Sequence, residues 1–206
     1  IKNIKITGFP VDPEIEKSVD KRKIMSELNL DPQVRTILIT IGLGALDKFI
    51  RIIDYLKDKK GEYQLILITG KYEHINSMLK EKKYVVPTAI IGWTNKMADY
   101  IRVADLIMCK GGGAIVSESL SAGKPVFVPV FVPGQERGNV YIIQRYELGF
   151  YETAEDKIFS ILDKIISKEI DLTKYKNNIY KYINHNAAVN IAKFINEIII
   201  WYGNKK

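Results

Sequence analysis

The sequence predicts an α/β protein whose core is a doubly wound parallel sheet of about six strands. From residue 36 onward, short apolar runs of strand length alternate with segments of helical period, which is typical of repeated strand–helix units. Apolar residues make up 47% of the 206 residues, enough for a buried core. The expected strands lie at residues 36–41, 64–69, 88–91, 105–109, 125–130 and, more weakly, 149–151.

The segment before the sheet is expected to form an opening strand and a linker helix within residues 1–32. Ile4 and Ile6 alternate with polar neighbours, as in a strand, and an amphipathic stretch of helical period follows. The α/β core then occupies residues 33–155, and further helices occupy residues 156–206. All three parts are expected to form a single domain.

Helices between the strands are expected to cover both faces of the sheet. Residues 46–56 place their apolar side chains on one helical face. Thr94 is a candidate N-cap for the helix before the fourth strand. A helix at about 114–122 ends at Gly123, which suits the left-handed C′ position, and another helix follows Gly134.

Two further helices are predicted at residues 156–168 and 187–202. The second carries an apolar stripe that polar residues interrupt, which favours a surface helix packed on the domain over a membrane anchor. The stripe consists of Ala188, Ile191, Ala192, Ile195 and Ile198 or Ile199.

Composition and charge exclude several classes of protein. No apolar run reaches eighteen residues and no signal sequence is visible, so a soluble chain is expected. One cysteine, Cys109, and two histidines exclude a disulfide scaffold and leave little for a metal site. The net charge is +7, and residues 157–206 hold nine lysines against four acidic residues. This surface would attract phosphate, nucleic acid or an anionic membrane, although a solvated lysine face is the commoner explanation.

Ligands of an open parallel sheet bind beyond the carboxyl ends of its strands, so a binding site is expected in the loops after the strands. Gly42 and Gly44 follow the first strand, where bare backbone can approach a phosphate at a helix N-terminus. Asp47 stands where a dinucleotide fingerprint requires its third glycine, and Gly70-Lys71 follows the second strand in place of an acidic residue. A nicotinamide or flavin site is therefore disfavoured.

The strongest motif follows the fourth strand, where three glycines lie directly before a helix. Backbone amides from about Gly112 through Gly113 and Ala114 to Ile115 would face an anion, aided by the helix dipole. Glu118 lies about one turn further, where a carboxylate can accept two hydrogen bonds from a ribose diol. A tight turn with a solvent-facing glutamate remains the alternative for this motif.

A polar cluster follows the fifth strand. Gln135, Glu136 and Asn139 stand at a strand-to-helix junction and suit the hydroxyl groups of a sugar, with helix capping as the competing explanation. An anion loop, a diol-binding acid and a hydroxyl-binding cluster thus follow one another at successive strand ends. This order is the one that a nucleotide-sugar requires.

The run IGWTNKMADYIRVADLIMCKGGGAIVSESLSAGKPVFVPVFVPGQERGN, residues 91–139, resembles a known family. It is similar to the donor-binding half of GT-B glycosyltransferases that include the monogalactosyl- and glucosyl-diacylglycerol synthases, with the peptidoglycan enzyme MurG as a more distant relative. The motif Gly-Gln-Glu-x-Gly-Asn at residues 134–139 favours the diacylglycerol branch. The likeness extends loosely over residues 4–152 and implies a Rossmann-like half of a GT-B fold.

The resemblance implies a role for each motif. Gly113 and Ala114 would hold the diphosphate, Gly42 and Gly44 would approach it from the other side, and Glu118 would bind the ribose. The family often has proline within residues 111–113 and more glycine in the first loop, so the sugar specificity stays open among glucose, galactose and N-acetylglucosamine.

The resemblance also implies the positions of the base and the hexose. The backbone at Trp93 and Thr94 would hold the uracil, and the Trp93 ring would lie against the base unless it belongs to the core. Gln135 and Glu136 would contact the hexose, with Asn139 supporting them.

The activity that the resemblance implies is inverting transfer of a hexose from UDP to a lipid acceptor, expected to be diacylglycerol, in a cytoplasmic enzyme peripheral to the membrane. In the family that it resembles, the acceptor and the general base belong to an N-terminal domain, which is expected to be missing from this chain. Neither His74 nor His185 follows a strand, so no catalytic base is assigned. No metal or other cofactor is expected. The partners would be the UDP-hexose, the lipid acceptor and an anionic membrane surface, but not nucleic acid.

Two alternatives remain. The chain could be a stand-alone donor-binding subunit of a split UDP-N-acetylglucosamine transferase or a MurG-like enzyme. It could also be a basic nucleic-acid-binding domain, but it has no recognised motif of that class and no interleaving of aromatic and basic residues.

Overall fold

A computed structural model describes residues 4–42, 44–184 and 186–203, and it confirms the predicted α/β class. Six parallel strands form one sheet: Arg35–Thr40 (β1), Tyr63–Ile68 (β2), Thr88–Ile91 (β3), Leu106–Met108 (β4), Val126–Val128 (β5) and Gly149–Tyr151 (β6). The 3₁₀ helix Pro13–Glu16 precedes the α-helices Lys21–Glu27 (α1), Leu46–Lys57 (α2), Glu73–Glu81 (α3), Met97–Val103 (α4), Gly113–Ser121 (α5), Arg137–Arg145 (α6), Glu155–Ile166 (α7), Thr173–Tyr182 (α8) and Ala187–Gly203 (α9).

The strand order is β3-β2-β1-β4-β5-β6, with β1 pairing in parallel with both β2 and β4. The chain therefore runs outward from β1 to one edge, returns to β4, and runs outward to the other edge. Because the direction of winding reverses between β1 and β4, the loops that follow these two strands diverge and leave a crevice. This crevice is the expected ligand site of the fold.

Helices pack on both faces of the sheet. Neighbouring residues of β1 alternate between the two faces, so Ile37 belongs to the core that contains Phe49 of α2, and Leu38 to the core that contains Val116 of α5. Ile37, Phe49 and Leu38 are completely buried. Burial of each such side chain stabilises the fold by about 1.5–3 kcal/mol.

A buried polar contact connects the linker after α1 to the start of the sheet. The Gln64 amide nitrogen donates to the Asp31 carbonyl at 2.7 Å and to the Thr36 hydroxyl at 2.9 Å. In return, the Gln64 side-chain oxygen accepts from the Asp31 amide at 3.0 Å. Since each polar group has its partner, burying Gln64 does not carry the penalty of an unsatisfied amide.

The predicted opening strand is wrong, since residues 4–12 lie outside any helix or strand. Ile4 and Ile6 are 68% and 89% exposed, and Lys5 instead pairs with Glu197 of α9 at 3.2 Å. Two alternating isoleucines satisfy the pattern of a strand, but a strand also needs a neighbour that binds its backbone groups. The sheet edges, β3 and β6, do not pair with this segment.

The last helix begins at the predicted residue, but its expected packing is wrong. Ala187 is buried, whereas Ile195, Ile199 and Trp201 are more than half exposed. The helix extends beyond the core, so its apolar stripe lacks a covering surface among the described residues. No helix within residues 4–42, 44–184 and 186–203 has the length and hydropathy needed to span a membrane.

Two details of the helices also differ from expectation. Thr94 is not the N-cap of α4, because Lys96 occupies that position and the Thr94 hydroxyl accepts from the Lys96 amide at 2.9 Å. α3 and α8 were not predicted. α8 fully buries a single residue, Ile179.

Candidate functional site

The loops that follow β1 and β4 border the crevice and approach each other closely at Gly42 and Lys110. A methyl group added to Gly42 would lie 3.3 Å from Cβ of Lys110, so glycine permits the close approach of the loop after β4. Gly44 has a φ of +75°, a left-handed conformation that favours glycine. The two glycines predicted to approach a phosphate therefore border the crevice, and Leu43 between them lies outside the described residues.

The N-terminus of α5 presents free backbone donors to the crevice. Its N-cap is Gly112, which offers no side chain to bind them. The amides of Gly113, Ala114 and Ile115 have no hydrogen-bond partner in the part of the chain that the structure describes. The Gly112 amide donates to the Lys110 carbonyl at 2.8 Å, so the set of free amides begins one residue later than expected. Such donors, with the positive end of the helix dipole, favour an anion.

Hydrogen bonds to Val130 and Asn139 fix the loop before α5. The Gly111 amide donates to the Val130 carbonyl at 3.0 Å, and the Asn139 side-chain amide donates to the Gly111 carbonyl at 2.8 Å. A methyl group at Gly111 would lie 2.9 Å from Cβ of Phe131, so a side chain there requires movement of the loop. Asn139, predicted to support the hexose contacts, therefore also fixes the anion loop.

Glu136 lies beneath this loop and is only 5% exposed. One of its carboxylate oxygens pairs with the ammonium group of Lys110 at 3.2 Å, and the other accepts from the Val132 amide at 2.7 Å. Burial, and to a lesser extent the negative charge of Glu136, raises the pKa of the Cys109 thiol to about 12. Gln135, its neighbour, is exposed and makes no side-chain hydrogen bond to any described residue.

Glu118 lies one turn after Ala114 and on the same side of α5, because residues four apart share a helical face. It is half-buried, and no described residue donates a hydrogen bond to its carboxylate. Burial, and to a lesser extent the charge of Asp12, raises its pKa above the ordinary value. Glu118 is thus an acceptor without a donor, beside the free amides.

Trp93 follows β3 and is 67% exposed, so its alternative assignment to the core is wrong. It lines a pocket of about 570 Å³ together with Gly70, Lys71 and Asn76, at the carboxyl ends of β2 and β3. The amide of Asn76 donates to the Thr69 hydroxyl at 3.2 Å. An exposed indole beside an open pocket can stack on a planar base.

All the predicted site residues follow the carboxyl ends of their strands. Gly42 and Gly44 follow β1, Trp93 and Thr94 follow β3, the residues from Gly112 to Glu118 follow β4, and those from Gln135 to Asn139 follow β5.

Sequence reasoning did not single out Lys110, which lies beside Gly42, or Lys71, which lines the pocket at Trp93. The position of Lys110 directly before three glycines was the available signal, and Lys71 was noted only as the residue that replaces an acid. His74 lies exposed in the first turn of α3, and His185 is outside the described residues. Among the residues described, no three His, Cys, Asp or Glu side chains are grouped so as to hold a metal ion.

Comparison with known proteins adds independent findings. The glycosyltransferase family 28 C-terminal domain matches residues 36–146. A processive diacylglycerol beta-glucosyltransferase of Staphylococcus epidermidis is 31% identical over 168 residues, which are 81% of this chain and 43% of that protein. A probable chloroplastic monogalactosyldiacylglycerol synthase 2 of Oryza sativa is 26% identical over 204 residues, 95% of this chain and 44% of that protein.

The fold resembles that of solved glycosyltransferases. The crystal structure of WaaG, a glycosyltransferase involved in lipopolysaccharide biosynthesis, superposes with a TM-score of 0.64 at 14% identity, over 85% of this chain and 50% of that one. At this identity the superposition supports the fold alone. The chain spans about half the length of the curated relatives it matches.

Proposed function

This chain belongs to glycosyltransferase family 28, and we propose that it binds the UDP-hexose donor of an inverting hexosyltransferase that acts on a lipid. One arrangement carries the proposal: the free amides of Gly113 to Ile115 lie one turn from the unpartnered carboxylate of Glu118. A diphosphate linked to a ribose carries an anion next to a diol, and this pair of groups matches the arrangement.

The other contacts of the donor follow from this placement. The uracil lies at Trp93 and Thr94, the ribose at Glu118, and the diphosphate between the α5 amides and the loop of Gly42 and Gly44. The hexose then extends past the diphosphate toward the loop after β5, where the exposed Gln135 contacts its hydroxyl groups. Glu136, predicted as a second hexose contact, is buried with its two carboxylate oxygens on Lys110 and the Val132 amide, so it supports this loop together with Asn139.

In the proposed reaction, the acceptor oxygen forms a bond to the anomeric carbon while the bond from that carbon to UDP breaks. The departing UDP gains negative charge, and the α5 amides with the helix dipole stabilise that charge in place. The acceptor proton passes to a general base, which we place in a part of the enzyme outside this chain. No metal or other cofactor enters these steps.

The acceptor proposal rests on the relatives, whose names specify diacylglycerol glucosyl and galactosyl transfer. We propose diacylglycerol as the acceptor, bound by a further domain, in a cytoplasmic enzyme peripheral to an anionic membrane. The exposed isoleucines and Trp201 of α9 and the net charge of +7 support contact with such a surface. A stand-alone subunit of a split UDP-N-acetylglucosamine transferase would use the same donor site, so only the identity of the preferred sugar and of the partner separates the two.

Calorimetric titration of this chain with UDP, UDP-glucose, UDP-galactose, UDP-N-acetylglucosamine and ADP tests the donor assignment. We expect saturable binding that prefers uridine nucleotides to ADP, and the ranking of the sugars to identify the donor. Equal binding of ADP and UDP would contradict a uracil site at Trp93. A preference for UDP-N-acetylglucosamine would favour the split-enzyme alternative over a diacylglycerol hexosyltransferase.

A further inference from the structure

Lys110 lies between the loop of Gly42 and Gly44 and the loop of Gly111 to Gly113. It lies two residues after the end of β4, and its aliphatic stem passes over Gly42, since a methyl group at Gly42 would lie 3.3 Å from Cβ and 3.5 Å from Cδ of the lysine. Its side chain is only 23% exposed. The lysine thus stands at the border of the crevice in which the proposed function places the diphosphate.

The ammonium group of Lys110 is held by a carboxylate that is itself fixed. Its partner Glu136 has a side chain 7% exposed, and the ion pair spans 3.2 Å. The second Glu136 oxygen accepts from the Val132 amide at 2.7 Å, and the backbone of Glu136 donates to the Val132 carbonyl at 3.0 Å. A carboxylate bound at both ends keeps the lysine in one place before any ligand arrives.

The same carboxylate lies close under the anion loop. Methyl groups added at Gly111 and Gly112 would lie 3.5 Å and 3.8 Å from the two Glu136 oxygens. A buried negative charge at that distance from the loop opposes the binding of a diphosphate unless a cation neutralises it. Lys110 is the cation that pairs with this carboxylate.

We propose that Lys110, positioned by Glu136, is a diphosphate-binding residue of the donor site. The lysine donates charge-assisted hydrogen bonds to the diphosphate in addition to those of the neutral α5 amides, and Glu136 serves as its positioning residue. An ammonium group brings three donors and one full charge, whereas the backbone amides bring only partial charges. This inference rests on the proposed function, since it assigns a further residue to the same site.

The test compares uridine, UMP and UDP binding to the wild-type chain and to Lys110→Met. We expect the variant to bind UDP about 10- to 100-fold more weakly, the effect of losing a hydrogen bond to a charged group. Uridine lacks a phosphate, so its affinity is expected to stay unchanged. Lys110→Arg keeps the charge and is expected to retain most of the UDP affinity.

Two further variants separate ligand binding from folding. Lys176→Met removes a half-buried lysine that pairs at 3.5 Å with Asp105, the residue before β4. This pair lies at the amino-terminal end of β4, away from the crevice, so the variant is expected to bind UDP normally. Lys110→Met combined with Glu136→Gln leaves no unpaired buried charge, so it tests the lysine even if the single variant unfolds. If Lys110 only neutralises Glu136, the double variant will bind UDP as the wild type does.

The outcomes are distinct for the two proposals. A wild-type chain that binds no uridine nucleotide contradicts the proposed function itself. A wild-type chain that binds UDP, with a folded Lys110→Met or double variant that also binds UDP normally, overturns only the inference on Lys110. Equal weakening of uridine and UDP in the Lys110 variants would likewise overturn it, because a diphosphate contact cannot affect uridine.

Discussion

The replacement of Glu118 by alanine tests the ribose assignment. No described residue donates to this half-buried carboxylate, so its removal breaks no hydrogen bond among the described residues. A hydrogen bond to a charged group contributes about 1.5–3 kcal/mol, which corresponds to about a 10- to 150-fold loss of UDP affinity. Because burying an unpartnered carboxylate costs free energy, we expect the thermal stability of Glu118→Ala to equal or exceed that of the wild type.

The assay is a calorimetric cycle with two ligands, UDP and 2′-deoxy-UDP, and two proteins. Glu118→Ala is expected to weaken the binding of UDP more than the binding of 2′-deoxy-UDP. The coupling free energy between the carboxylate and the 2′-hydroxyl is expected to be at least about 1 kcal/mol. Glu81→Ala, which removes an exposed glutamate at the end of α3, is the matched control and is expected to change neither affinity. An equal loss for both ligands in Glu118→Ala would refute the reasoning.

The raised pKa of Glu118 adds a pH dependence to the same prediction. The ionised carboxylate accepts hydrogen bonds from both hydroxyls, so affinity is present above its pKa and falls as the pH drops through that value. Burial raises the pKa of Glu118, so the loss is expected at a higher pH than for an ordinary glutamate. UDP-glucose is the suitable ligand, because its diphosphate does not titrate in this range, and Glu118→Gln is expected to remove the pH dependence.

Three further predictions concern other parts of the molecule. Gln135→Ala is expected to lower the calorimetric affinity for UDP-glucose more than the affinity for UDP, and an equal loss for both ligands would contradict a hexose contact. Gly149→Ala places a methyl group 2.0 Å from the Val126 carbonyl oxygen, so denaturant unfolding is expected to show a loss of at least about 2 kcal/mol; wild-type stability would contradict this packing. Burial lowers the pKa of Lys124 to about 8, partly opposed by Asp105. As the pH rises, the folded chain therefore loses this proton before the unfolded chain does, so the free energy of unfolding rises between about pH 8 and 10.5. Lys124→Met is expected to remove that rise and to stabilise the chain at pH 7 by up to about 3 kcal/mol. An unchanged pH profile of stability in this variant would count against the prediction.

The strands were predictable because their pattern is local. Residues 88–91 and 149–151 match β3 and β6, and the other four strands shift by only one or two residues at their ends. The error at Ile4 and Ile6 arises because a strand also depends on a partner that the local pattern does not reveal. α8 was missed because its contacts with the core are made by Ile179, which is fully buried, and by Tyr175, which packs on Phe150, and neither contact is visible in the local pattern.

The site was predictable where topology alone determines it. A parallel sheet brings the carboxyl ends of its strands together, so Gly113, Glu118 and Gln135 could be chosen as candidates from their positions after strands. Lys110 was not found, because its importance depends on a buried partner from another loop, Glu136, whose burial only the folded structure reveals.

The most direct test of the account is a crystal structure of this chain with UDP bound. We predict the diphosphate on the amides of Gly113 to Ile115, the ribose hydroxyls on Glu118, and the uracil beside Trp93. UDP bound outside the crevice between β1 and β4, or bound there with its ribose away from Glu118, would contradict the donor site described for this chain.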